Sequence, residues 1–139
     1  NKVLEKNKDN PVYYVQYSFA RISSVFRTLN VNNTKNAIIK SDEFKINDFE
    51  IKIIKKIFEW PKIVETASSK YEPHRIPYYL YELATLFHSY WSKGNEDHNY
   101  KIIENGKIKN PATLTTLILI TIVLQRGMSI LGVSLPDKM

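Results

Sequence analysis

The stretch Ile76-Pro-Tyr-Tyr-Leu-Tyr-Glu-Leu-Ala-Thr-Leu-Phe-His-Ser-Tyr90 sets Ile76, Leu80, Leu83, Phe87 and Tyr90 four, three, four and three residues apart. That stepping lines apolar side chains along one stripe of an α-helix, which must then be buried against other elements. Pro73 restarts the chain just upstream, and Pro77 is tolerated because it falls in the first turn, where a missing N–H costs little. The same signal recurs on both sides. Val15, Phe19, Ile22, Phe26 and Leu29 predict a helix over 11–29, with Asn10 as its N-cap and Pro11 at the first helical position. Ile46, Phe49, Ile53 and Ile57, widened by Ile51, Ile54 and Phe58, predict a well-buried helix over 42–59 that Pro61 ends or kinks. A short helical piece follows over 61–69, and the Asn-rich stretch 30–36 reads as a loop.

Downstream the pattern changes. Gly94, Asn95, Glu96, Asp97 and His98 read as loop, and Asn105-Gly106 lies between two short alternating segments, so 93–110 is either a small hairpin or a basic loop. Pro111 opens a last helix that is apolar nearly all round from Leu114 to Leu124, a composition suited to the centre of a bundle. Gly127 in its interior predicts a kink or a close helix contact, and Gly132 suits the C-cap. The sum is one domain over 1–139, an all-α bundle of four to five helices with a short extended tail over 133–139.

Composition narrows the function. With no cysteine, a disulfide framework, a thiol nucleophile and a cysteine zinc site are excluded. Gly-rich phosphate loops, a nucleophile elbow and a His-Glu-x-x-His pair are all missing, so no catalytic residues and no metal site are expected. His74 and His88 lie on one helix but are separated by roughly 21 Å of helical rise. Glu50, Glu59, Glu65, Glu72 and Glu82 fall on polar faces, where solvation is the expected state. The longest apolar run, Leu117 to Leu124, is eight residues interrupted by Thr121, against the twenty or so a bilayer span needs, so no membrane segment is expected. The amino end is polar and has no initiator Met, which reads as a cut from a longer cytoplasmic protein.

The formal charge is +6, and Lys outnumbers Arg 16 to 4, as AT-rich coding sequence would produce. A field of that sign still favours a polyanionic partner. Nine tyrosines include Tyr13-Tyr14-x-x-Tyr17 on the first helix and Tyr78-Tyr79-x-Tyr81 on the stretch quoted first. Two readings stand for these rings: half-buried helix packing, or platforms for unpaired bases, with Tyr14, Tyr17 and Arg21 forming one base-sized site.

Three blocks carry a family resemblance. Asn10-Pro-Val-Tyr-Tyr-Val-Gln-Tyr-Ser-Phe-Ala-Arg-Ile22 looks like the first helix of the carboxy-terminal anticodon-binding domain of arginyl-tRNA synthetases, in the class named DALR. Glu72-Pro-His-Arg-Ile-Pro-Tyr-Tyr-Leu-Tyr-Glu-Leu-Ala84 and Leu131-Gly-Val-Ser-Leu-Pro-Asp-Lys-Met139 are similar to the second helical block and the terminus of the same family. The resemblance implies a helical bundle that grips the anticodon loop of an arginine tRNA and reads its middle cytosine. A separate amino-terminal domain, outside this chain, would activate arginine with ATP and Mg. Within this piece no cofactor is implied, and the expected state is a cytoplasmic monomer.

Carried over by position, the resemblance implies that Tyr79 stacks on a splayed base. Tyr17, Arg27 and Met139 would complete the pocket, Tyr14 would shape its rim, and Arg21 would reach phosphate or hold the loop. Replacing Tyr79 by Ala is then expected to weaken tRNA binding with little change in fold, and extending the chain past Met139 is expected to impair it. Phe19 stands where many members have His, which favours a core role. No function transfers onto 93–110, where Lys101, Lys107 and Lys109 read as a solvated loop. A helical protein-interaction module without RNA binding is the alternative. The related domain of a cysteinyl or glycyl enzyme is disfavoured by the Gln16-Tyr17 block and by Met139.

Overall fold

Asn10 begins the first helix as expected: its side chain accepts from the backbone N–H groups of Val12 and Tyr13, and Pro11 occupies the first turn of α1, Pro11–Thr28. The computed structural model describes residues 10–29, 45–108 and 110–139. The readings made for 1–9, 30–44 and Lys109 lie outside the described residues.

The second helix starts later than its apolar spacing suggests. α2, Asp48–Phe58, is opened by a capping box at Asn47, whose side chain accepts from the N–H groups of Phe49 and Glu50 while the Glu50 carboxylate accepts from the N–H of Asn47. Ile46 therefore lies outside the helix and is exposed, as are Ile51 and Phe58, so the expected well-buried helix is corrected to one that buries a narrow strip around Ile53. Glu59 separates α2 from α3, Trp60–Ser69, and Pro61 sits in the first turn of the new helix.

The quoted stretch forms most of α4, Arg75–Glu96, with Pro77 in its first turn and Ile76, Leu80, Leu83, Phe87 and Tyr90 all buried. Gly94, Asn95 and Glu96, expected in a loop, continue this helix by another turn. A single 3-10 turn, His98–Tyr100, then leads to a two-stranded antiparallel ribbon of β1, Ile103–Glu104, and β2, Lys107–Ile108, in which Ile103 faces Ile108. The hairpin reading of 93–110 thus holds for its second half. Asn105 and Gly106 take φ of 50° and 72°, the left-handed pair that a two-residue hairpin turn requires.

Capped by Asn110, α5, Pro111–Ile130, follows. Its mean hydropathy of 1.5 and its length would allow it to cross a membrane, contrary to the expectation from the eight-residue run, because its threonines weigh little against so many Leu and Ile. Half of the window concerned is buried inside the bundle, as in the core helix of a globular fold. The centre of the bundle is α4 rather than α5 alone, since α4 packs against α1, α2, α3 and α5. At the α4·α5 crossing a Cβ on Gly127 would meet Leu80 Cδ2 at 2.6 Å, so the absent side chain permits the close approach that its position suggested.

One polar knot ties three helices together. Glu50 is fully buried, a correction to its assignment to a solvated face, and its carboxylate accepts from the Tyr90 hydroxyl at 3.0 Å, from the Thr113 hydroxyl and from its own cap. Asn47 Nδ2 donates to the Tyr90 oxygen at 2.9 Å. A buried carboxylate is tolerated only when its lone pairs are met in this way. Burial, reinforced by the Glu50 charge, pushes the Tyr90 hydroxyl up to about 12, with hydrogen bonds from Thr113 and Asn47 offsetting part of the rise.

Candidate nucleic-acid interface

Past α5 the chain turns back along α1. Gln16 Nε2 donates to the Ser134 carbonyl at 2.8 Å, and Arg27 Nη1 donates to the Asp137 carbonyl at 2.9 Å, while Val133 and Leu135 pack on the core. These two bonds, eleven residues apart on one helix, lay the tail beside the face of α1 that carries Tyr17 and Arg21.

Between that face, the tail and the hairpin lies a cavity of about 630 Å³, within the usual range for ligand sites. Tyr17, Arg21 and Arg27 line one side, Lys138 and Met139 close another, and Trp91 forms part of the floor. Among the described residues, three cationic side chains face it and no Asp or Glu side chain lines it. Met139 is half exposed at its edge.

The Arg21 guanidinium carbon lies 4.6 Å from the centre of the Tyr17 ring and 4.8 Å from that of Trp91, and Arg21 also donates to the Tyr17 hydroxyl. Held against two π faces, this cation is pre-organised and does not sweep the solvent. Tyr17 in turn stacks nearly parallel on Tyr13, at 6.4 Å and 8°, and on His88, at 5.5 Å and 18°. Ser18, fully buried, donates to the Tyr14 carbonyl and lies 2.9 Å from His88 Nε2, which fixes that imidazole beneath the Tyr17 ring.

Of the six residues expected at the site, Tyr17, Arg21, Arg27 and Met139 meet at this cavity. Tyr14 does not line it. Its ring packs across to α4 against His88 at 4.4 Å and Tyr81 at 5.3 Å, and burial above all, then Tyr81, raises its hydroxyl above the ordinary tyrosine value.

Tyr79 is a correction. It is 2% exposed, on the far side of α4, where its hydroxyl donates to the Lys56 carbonyl at 2.7 Å and its ring packs on Trp60 at 5.3 Å. The ammonium of Lys56 lies 5.1 Å above the same ring. No face of it is open to a base. Burial, with Glu59 and Glu82 nearby, holds its hydroxyl well above the ordinary value. The reason is helical register: position 79 is three residues after Ile76 and four before Leu83, on the buried stripe itself.

Sequence reading missed Trp91, Lys138 and the turn Asn105-Gly106, which forms the outer wall. Trp91 was within reach, since it stands one turn after Phe87 on the same helix. Lys101 and Lys107 are exposed, as expected of a solvated loop, and neither lines the cavity. Phe19 is in the core.

Fold and site together define an α-helical bundle that presents a basic, aromatic-lined cavity closed by its own tail. The family model described as the DALR anticodon binding domain matches residues 15–139, and the chain belongs to that family. It is 54% identical over 138 residues to the arginine–tRNA ligase of Pelagibacter ubique and 41% identical over 144 residues to that of Bartonella tribocorum, in each case over 99% of this chain. The chain spans about a quarter of the length of these curated relatives, 24% and 25%. The crystal structure described as that of an arginyl tRNA synthetase from Campylobacter jejuni superposes with a TM-score of 0.80 at 24% identity, over 99% of this chain and 28% of that one, a likeness that bears on the fold.

Proposed function

We propose that this chain is the part of an arginine–tRNA ligase that holds the anticodon loop of its tRNA, with the middle anticodon cytosine lodged in the cavity beside α1. The observation that carries this reading is the meeting of Tyr17, Arg21, Arg27 and Met139 around one acid-free cavity. An unpaired base stacks on a ring or a guanidinium plane, and Tyr17, Arg21 and Trp91 bring both kinds of group to the cavity lining, held together in place. Arg27 and Lys138 supply the charge that draws in phosphate. Arginine codons share a central G, so a pocket for the complementary cytosine serves every arginine tRNA, whereas the first anticodon base varies.

The activity of the whole ligase is part of the same proposal. Arginine activation with ATP and Mg would belong to the catalytic domain in the remaining three quarters of the parent. Among the described residues here no group of three His, Asp or Glu side chains is placed to hold a metal. The parent would act as a cytoplasmic monomer.

The test is a salt-controlled titration of the chain against an arginine-tRNA anticodon stem-loop and the same stem-loop with its middle cytosine changed to uracil. The expected result is preference for cytosine, with log K falling against log salt with a slope of about −2 if three cations each displace ~0.7 counterion from a single strand. Equal, weak binding to both loops would leave charge attraction alone and sink the cytosine reading. Binding that ignores salt would favour a protein-interaction module.

A further inference from the structure

The hairpin between α4 and α5 carried no function in the sequence, yet its turn forms the outer wall of the cavity. It is held there firmly. The 3-10 turn before it packs on α4, where a Cβ on Gly94 would lie 2.8 Å from the Tyr100 carbonyl oxygen, and Ile102 is buried in the core cluster. Ile103 and Ile108, paired across the ribbon, are half buried on the same core. The tip of the turn is therefore carried by anchored chain on both sides.

Part of the hydrogen-bonding capacity around the cavity is already committed. The Tyr17 hydroxyl accepts from Arg21, the Asp137 carbonyl from Arg27, and the Thr28 hydroxyl donates to the Ser24 carbonyl. Asn105 differs. It is exposed, it lines the cavity, and among the described residues it carries the one side-chain amide there, a donor beside an acceptor.

Resting on the function proposed above, we infer that the Asn105-Gly106 turn is a base-reading element and that the Asn105 amide hydrogen-bonds the Watson–Crick edge of the base lodged in the cavity. On cytosine the amide oxygen accepts from the exocyclic amine and the amide NH₂ donates to the ring nitrogen. An amide can rotate to meet the reversed edge of uracil. Asn105 therefore contributes affinity for a pyrimidine edge, and preference between the two pyrimidines depends on what fixes the amide's orientation.

That chemistry gives two separable variants, both compatible with the left-handed backbone at this position. Asn105→Gly deletes the amide and keeps the turn. It should weaken binding of cytosine and uracil stem-loops alike, by about three- to tenfold, as loss of hydrogen bonds to a base edge does. Asn105→Asp presents acceptors only: it can accept from the cytosine amine or from the uracil N3–H, and on either base its second oxygen opposes an acceptor, cytosine N3 or uracil O4. It should bind both loops at least as weakly as Asn105→Gly does.

The experiment is the titration of the unsubstituted chain and both variants against the two stem-loops and a stem-loop with a scrambled loop, with thermal midpoints measured alongside. Unchanged binding by both variants would overturn the inference. So would a loss by Asn105→Gly on the scrambled loop equal to that on the anticodon loops, because that outcome assigns Asn105 to the backbone of the RNA and not to a base edge. If the unsubstituted chain itself fails to distinguish the anticodon loops from the scrambled one, the underlying function falls and the inference with it.

Discussion

Two tyrosine clusters, Tyr13-Tyr14-x-x-Tyr17 on α1 and Tyr78-Tyr79-x-Tyr81 on α4, have nearly the same composition and opposite fates. On α1 the last ring lies at the cavity, stacked on its neighbours and joined to Arg21. On α4 the middle ring is sealed into the core and the ring before it is 69% exposed. The difference follows from position on the helix. Tyr17 stands two residues from Val15 and from Phe19, beside the buried stripe, whereas Tyr79 is on the stripe, adjacent to Leu80. Aromatic content does not say where a ring will lie, and register decides whether it is sealed in the core or left at the cavity.

Substitutions can break or sharpen this contrast. The largest effect is expected from Tyr79→Ala, which should destabilise the fold by about 3–5 kcal/mol in urea titration, the usual range for removing a large buried ring. RNA affinity of whatever fraction remains folded should be unchanged. A stable Tyr79→Ala chain that has lost RNA binding would reverse the assignment of the two clusters.

Next comes an alkaline transition that belongs to the buried rings. Because burial raises the Tyr90 hydroxyl from 10.0 to about 12, the unfolded chain loses its proton first, so this contribution to stability is complete below pH 10 and is lost between pH 10 and about 12. The change should be on the order of 2–3 kcal/mol, and Tyr79, shifted the same way, adds to it. A urea midpoint that stays level through pH 12 would contradict the burial of these hydroxyls.

Tyr17→Ala should cost about 1–3 kcal/mol of stem-loop affinity, the contribution of one stacked base, with a thermal midpoint close to that of the unsubstituted chain. Full retention of affinity would move the ligand away from α1. The smallest effect is expected from Tyr78→Ala, within about 0.5 kcal/mol in stability and with no change in RNA binding. A clear loss of binding there would place RNA on α4 and erase the contrast.

How much of this was legible follows from the same register argument. The helices opened by Asn10-Pro11 and by Pro111, the buried face of α4 and the close contact at Gly127 were readable, because caps, prolines and a 3.6-residue period are local signals. Four of the six site residues came together, and all four lie on α1 or at the tail that packs on it. Tyr79 went astray although its spacing from Ile76 and Leu83 placed it in the core, since a position carried over from a resembling block outweighed the period in the residues themselves. Glu50 was misread for a different reason. Nothing near it in sequence announces that Tyr90 and Thr113 will arrive as donors, 40 and 63 residues away. Asn105 likewise gained its place from tertiary packing, because only the folded chain sets the hairpin tip opposite α1.

The guanidinium held between Tyr17 and Trp91 has an evolutionary consequence. In a chain that writes 16 of its 20 basic residues as lysine, two of the four arginines face this one cavity. The codons AGA and AGG lie a single purine transition from lysine codons, so base-composition drift tests such positions constantly. At Arg21 the exchange would keep the charge and lose the planar cation that both rings are placed to receive. Drift that passes unnoticed at a solvated cation would meet resistance here, where the shape of the cation and not its charge alone is what the two rings receive.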